Sequence, residues 1–183
     1  MWASARIAVA VWALSSFSGP AATAQTKEYQ VKAVFLFNFT QFVEWPSAAF
    51  TSARAPIIIG VLGQNPFGSY LDEAVRGETV EGRPLEVQRY RKVDEIKTCH
   101  ILFISKSEAS HLAEILMALK DRSILIVGDG DGDDFVLRGG MIRLANAQNR
   151  IRLIINAEAA TAASLVISSQ LLRSADIVTT PKP

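Results

Sequence analysis

The run Ile57-Ile58-Ile59-Gly60-Val61-Leu62 contains no polar side chain. Successive side chains of a strand point to opposite faces of its sheet, so a strand apolar at every position must be covered on both. A sheet covered on one face only is therefore excluded, and helices have to pack above and below. Gly63-Gln64-Asn65-Pro66 breaks the run at once. Asn65 reads as the cap of a helix over 66–76, since Pro66 has the φ of a first helical position and no amide to leave unpaired. Further strands follow at 84–90, 99–104 and 123–127, the second of them an apolar run. Between the last two, a helix capped by Ser105 or Ser107 runs to Leu119 with a core stripe of Leu112, Ile115, Leu116 and Leu119. Strands at 141–144 and 151–155, joined by a turn at 146–149, read as an antiparallel hairpin. Asn156 then caps a final Ala- and Ser-rich helix to about Arg173. Strands alternating with helices predict one α/β domain, its sheet mixed but mostly parallel, with helices on both faces.

Composition narrows the chemistry. Lys and Arg number 19 against 18 Asp and Glu, so the chain lacks the basic excess that phosphate neutralisation by a nucleic-acid binder requires. Cys99 is the only cysteine, which excludes an intramolecular disulfide and a Cys-x-x-Cys pair. Only His100 and His111 are available for imidazole chemistry. Cys99 and His100 are neighbours in an apolar strand and point to opposite faces, so they cannot act as nucleophile and base; Cys99 reads as a buried, inert thiol. His111 reads as solvated.

The remaining motifs fail their chemical tests. The stretch 60–68 follows a strand and opens a helix, but has neither the G-x-G-x-x-G spacing nor the lysine of a phosphate loop. Asp129, Asp131 and Asp133 alternate like the first ligands of a calcium loop. Asp134 then stands where the turn glycine belongs, and Gly140 where a bidentate glutamate is required. The stretch is read as an acidic turn leading into a short helix through Leu137. Asp72-Glu73 and Asp94-Glu95 lie in charged surroundings that would not raise a carboxyl pKa. No catalytic residue, cofactor or metal is expected.

The N-terminus carries an address. Arg6, the apolar stretch 7–14 and Ala22-Thr23-Ala24 have the order of a secretory signal cut after Ala24. Residues 1–24 are thus expected to be a signal peptide and 25–183 the α/β domain.

The aromatic block is the candidate surface. Phe35, Phe37, Phe39, Phe42 and Trp45 crowd a helix over 28–43 and the turn after it. Val31, Phe35, Phe39 and Phe42 recur at helical spacing and are expected in the core. Phe37 lies about 200° from Phe35 and from Phe39 around the helix. Phe37 and Trp45 are therefore the expected partner-binding residues, as exposed aromatics commonly mark interaction surfaces.

Taken in order, E-Y-Q-V-K-A-V-F-L-F-N-F-T-Q-F-V-E-W-P, I-I-I-G-V-L-G-Q-N-P-F-G, C-H-I-L-F-I-S, G-G-M-I-R-L and the closing I-N-A-E-A-A-T-A-A-S-L-V-I-S-S-Q-L-L resemble the YfiR-like family of periplasmic proteins. The resemblance runs from about Glu28 to Val178. It implies a periplasmic, non-catalytic α/β protein, usually a homodimer. It further implies repression of a membrane-bound diguanylate cyclase through the cyclase's periplasmic portion, with an outer-membrane lipoprotein able to sequester the repressor. The outcome would be lower cyclic-di-GMP and less biofilm. Members of that system carry several cysteines and use disulfides, so with Cys99 alone redox control does not carry over. A second reading, from a different class, is a periplasmic small-molecule receptor with its pocket at the carboxyl edge of the sheet.

Overall fold

A computed structural model describes residues 20–129, 134–148 and 150–179, with side chains from residue 25 onward. Helix α1 (Pro20–Phe42) leads into β1 (Val43–Glu44), then β2 (Ile57–Leu62), α2 (Tyr70–Val75), β3 (Thr79–Val80), β4 (Arg83–Tyr90) and β5 (Ile101–Ile104). The second half contributes α3 (Leu112–Ala118), β6 (Leu125–Gly128), α4 (Asp134–Leu137), β7 (Ile142–Ala147), β8 (Arg150–Ile155), α5 (Ala157–Ala162), β9 (Val166–Ile167), α6 (Ser169–Arg173) and β10 (Asp176–Ile177).

The sheet has eight strands in the order β10-β8-β7-β6-β5-β2-β4-β3. Strands β4, β2, β5, β6 and β7 are mutually parallel, whereas β8 is antiparallel to β7 and β3 to β4. Every residue of β2, β5 and β6 is buried, as the apolar runs require. From β2 the chain crosses to β4 on one side, and from β5 it steps through β6 to β7 on the other. Right-handed crossovers in opposite directions put α2 on one face and α3 with α4 on the other. Helix α1 packs against α2, completing the first face. The mixed sheet with helices on both faces is thus found as expected.

Four local expectations need correction. The helix expected over 66–76 begins only at Tyr70. Asn65 instead closes a tight turn, its Oδ1 accepting from Phe67 N at 3.1 Å and its Nδ2 donating to the Gly68 carbonyl. Gly68 has a φ of +56°, and this left-handed bend drives Phe67, fully buried, into the core against Tyr29 and Phe103. The helix expected from Ser105 or Ser107 starts as a 3₁₀ turn, Lys106–His111, and becomes α-helical at Leu112. Ser107 Oγ is occupied elsewhere, accepting from Gln64 N at 3.0 Å. Leu112, Ile115 and Leu119 are buried as expected, with Leu116 partly so.

The closing helix is not continuous to Arg173. Asn156 caps α5, accepting from Ala159 N, but Ser164 turns the chain with a φ of +61°. The next residues pair with β1, Val43 opposite Ile167 and Glu44 opposite Val166, before Ser168 caps α6. Pairing across the molecule overrides the weak helical preference of this segment. The hairpin is also longer than expected, with β7 and β8 in continuous register from Ile142 opposite Ile155 to Ala147 opposite Arg150.

Candidate partner-binding surface

Helix α1 crosses the first face from the carboxyl edge of the sheet to its amino edge. Tyr29, near one end, meets Asp129 just beyond β6; Trp45, beyond the other, meets His100 just before β5. Its buried face is Tyr29, Lys32, Ala33, Leu36, Phe39 and Thr40, a seam at spacings of three and four that Val43 of β1 continues. The expected stripe of Val31, Phe35, Phe39 and Phe42 is therefore corrected. Only Phe39 is fully buried; Phe35 and Phe42 are half-buried, and Val31 is 46% exposed. A helix apolar nearly all round leaves its rotation open to polar anchors, and Tyr29 with Lys32 supplies them. The outward side keeps Val31 and Val34 in solvent.

Phe37 and Trp45 are both half-buried and pack on the core with part of each ring outside. The indole Nε1 of Trp45 donates to the His100 carbonyl at 3.1 Å, and its ring meets the imidazole edge-on. His100 is fully buried and lies flat on Phe50, ring centres 4.5 Å apart. The guanidinium of Arg83 covers Phe50 at 3.7 Å while donating to the carbonyls of Ser52 and Ala55. This stack pins residues 50–55 against the amino edge. His100 Nδ1 accepts from Ile58 N at 3.0 Å, so the ring proton sits on Nε2, which is buried with no hydrogen-bond partner among the described residues. Burial holds the imidazole below its ordinary pKa, and the Arg83 charge adds to that against the raising effect of Ala49.

A second polar cluster, at the carboxyl edge, has no counterpart in the sequence reading. Lys32, 1% exposed, reaches Asp129 Oδ2 at 3.1 Å and also pairs with Glu28. Tyr29 OH donates to the same Oδ2 at 2.6 Å, and Asn146 Nδ2 donates to Glu28 at 2.6 Å. Burial alone would raise the Glu28 carboxyl, but the bonds from Lys32 and Asn146 and the lysine charge hold it below its usual value. The one available signal was a lysine set three residues after Tyr29 and four after Glu28.

Cys99 is buried, its Sγ against Gly60, where a Cβ would come within 2.9 Å of sulfur and 2.7 Å of the Tyr90 ring. Burial pushes the thiol up to about 12. Cys99 and His100 meet different surroundings, as the alternation requires. His111 is exposed, and Asp72 is taken up by a surface pair with Arg89. Of the calcium-like stretch, residues 130–133 lie outside the described residues, as does the signal region 1–19. Among the described residues no cluster of His, Cys, Asp and Glu is spaced to hold a metal ion. Near the switch between β2 and β5, where a sheet of this order would hold a ligand, the buried Phe67 packs edge-on against Tyr29 and against Phe103 of β5. A cavity of about 260 Å³ at the carboxyl end of β5, lined by Ser105, Leu112, Phe135 and Arg138, is below the ~300–1,000 Å³ usual for small-molecule pockets.

Among the described residues, no helix is long and apolar enough to cross a membrane. A family model described as YfiR/HmsC-like matches residues 29–176, from the buried face of α1 to the start of β10. No curated protein shows significant similarity to the chain.

Proposed function

Because the chain belongs to the YfiR/HmsC-like family, a regulatory family of cyclic-di-GMP signalling, we propose that it is an exported binding protein that keeps a membrane-bound diguanylate cyclase inactive by engaging the cyclase's periplasmic portion. Residues 1–24 act in this reading as a cleaved signal, the mature protein pairs as a homodimer, and an outer-membrane lipoprotein is the partner that withdraws it. The observation that carries the reading is the extent of the family match, which takes in every strand of the main sheet from β2 to β8 and reaches the first residue of β10. Phe37 and Trp45 are the proposed contacts; each keeps part of its ring outside the core.

Deleting the gene should raise cellular cyclic-di-GMP, and the intact gene should restore it. Complementation with Phe37→Ala or Trp45→Ala should fail to restore repression while the protein stays folded. Phe39→Ala, which empties a fully buried site, should cost about 3–5 kcal/mol and act through unfolding. Unchanged cyclic-di-GMP in the deletion strain would refute the proposed function. Normal repression by folded Phe37→Ala and Trp45→Ala proteins would refute only the proposed contacts.

A further inference from the structure

Strand β8 is only half covered on its outer side. Strand β10 pairs with it at Ile154 and Ile155 alone, and among the described residues no strand lies beside Arg150–Leu153. The direction of the backbone groups follows from the register. The Ile155 carbonyl accepts from Val178 N on the outer side at 2.8 Å, while Asn156 N donates to Met141 O on the β7 side. Peptide groups alternate along a strand and the β7–β8 register is unbroken, so Ile151 and Leu153 also turn their N–H and C=O outward. The Asp176–Ile154 pairing gives the Leu153 carbonyl to Asp176 N, which leaves both groups of Ile151 and the N–H of Leu153 open among the described residues. An edge of this kind is a template for another strand.

The surroundings say what kind of strand. A groove of about 460 Å³ runs along the edge, with Phe35 of α1, Ile151 and Leu153 as its apolar side and Arg152 and Arg173 as its cations. Asp176 pairs with Arg152, Nη2 to Oδ2 at 2.6 Å. Arg173 and the exposed Arg150 at the open end have no carboxylate partner among the described residues, and the edge keeps an excess of positive charge. Side chains alternate on an added strand as they do on β8. One set would lie with Phe35 and Ile151, and the other with Arg150 and Arg152.

We propose that the outer edge of β8 is a docking site for an extended segment of a partner protein, added as a further strand, whose residues alternate between apolar and acidic. This is strand addition, in which main-chain bonds supply affinity and alternate side chains supply selectivity. It goes beyond the regulatory reading, requiring neither a cyclase nor contact at Phe37 and Trp45.

The probe is a fluorescent octapeptide alternating Val and Glu, titrated into the purified protein and read by anisotropy. It should bind at least about tenfold more tightly than the same peptide alternating Val and Lys. Arg173→Glu should remove that preference. Ile151→Pro takes one donor from the outer edge and leaves the bonds to β7, so it should weaken binding in folded protein by about tenfold or more. Methylating alternate backbone nitrogens of the probe tests the same bonds without altering the protein: one register should bind and the other should not. Equal affinity for the acidic and basic peptides, no binding of either at about 1 mM, or indifference to methylation in both registers would overturn the proposal.

Discussion

Replacing Lys32 by Met removes one charge and little else. Met fills most of the volume of the lysine stem, so the packing loss is small, below about 1.5 kcal/mol. The larger effect falls on Asp129. Its side chain is fully buried, Lys32 is its only cationic partner among the described residues, and its Oδ1 has no hydrogen-bond partner there. Without the lysine, the carboxylate keeps the Tyr29 hydroxyl on Oδ2 and no compensating charge. Breaking a buried pair from one side costs about 3–5 kcal/mol. At about 2–4 °C per kcal/mol for a domain of this size, Tm should fall by roughly 6–20 °C. Asp129→Asn should cost less, because Lys32 retains Glu28. In the double variant Lys32→Met/Asp129→Asn the fully buried charge is gone and Tyr29 keeps an acceptor, while the part-exposed Glu28 loses its lysine and keeps only Asn146, so a good part of the loss should be recovered. Urea unfolding of the four proteins measures the coupling directly. A loss below about 1 kcal/mol for Lys32→Met, or a larger loss for Asp129→Asn than for Lys32→Met, would show that the pair does not carry a buried charge.

The depressed pKa of His100 makes stability depend on acid: the unfolded chain takes up the proton first, so stability should be level above the ordinary value of 6.5 and fall as pH drops below it. Thermal melts between about pH 7 and pH 5 should show this decline in the parent and a flatter one in His100→Asn; equal slopes would contradict the assignment. Cys99 should resist thiol reagents at pH 8 in the native protein and react on denaturation, since burial raises its pKa to about 12; rapid native labelling would refute its inert role. Intact mass of the exported protein should correspond to 25–183, a species that retains most of α1; a membrane-retained, uncut chain would remove the signal assignment.

Residues that act on their neighbours were readable from sequence. The bounds of β2, the hairpin and the Asn156 cap follow from local chemistry, and all three stand in the structure. Rotation of α1 was not readable, because valines and phenylalanines on most sides give a helix several acceptable faces. Its choice depends on Asp129, which lies 97 residues from Lys32 and read from sequence as the start of an acidic turn. The break at Ser164 was hidden for the same reason. Ala and Ser favour continuing α5, and only the presence of β1 at the far end of the chain makes a strand at Val166 the better outcome. Half-burial of Trp45 likewise depends on His100, 55 residues away, whose carbonyl holds the indole.

The clasp between β1 and β9 also sets a timetable. A chain that emerges N-terminus first, from a ribosome or through a membrane pore, delivers α1 long before its partners. Asp129 follows Tyr29 by 100 residues, and the segment that pairs with Val43 and Glu44 comes later still. Until then Lys32 has only Glu28 of its own helix as a partner and α1 has no strand to close its end, and its phenylalanines stay available to chaperones or to neighbouring chains. Closing so long a loop carries an entropic cost before any contact offsets it, which slows the final step relative to docking of β2 with β4 and β5. Shortened chains that stop before Val166 should therefore be held as unfinished, chaperone-bound intermediates and not as smaller native domains.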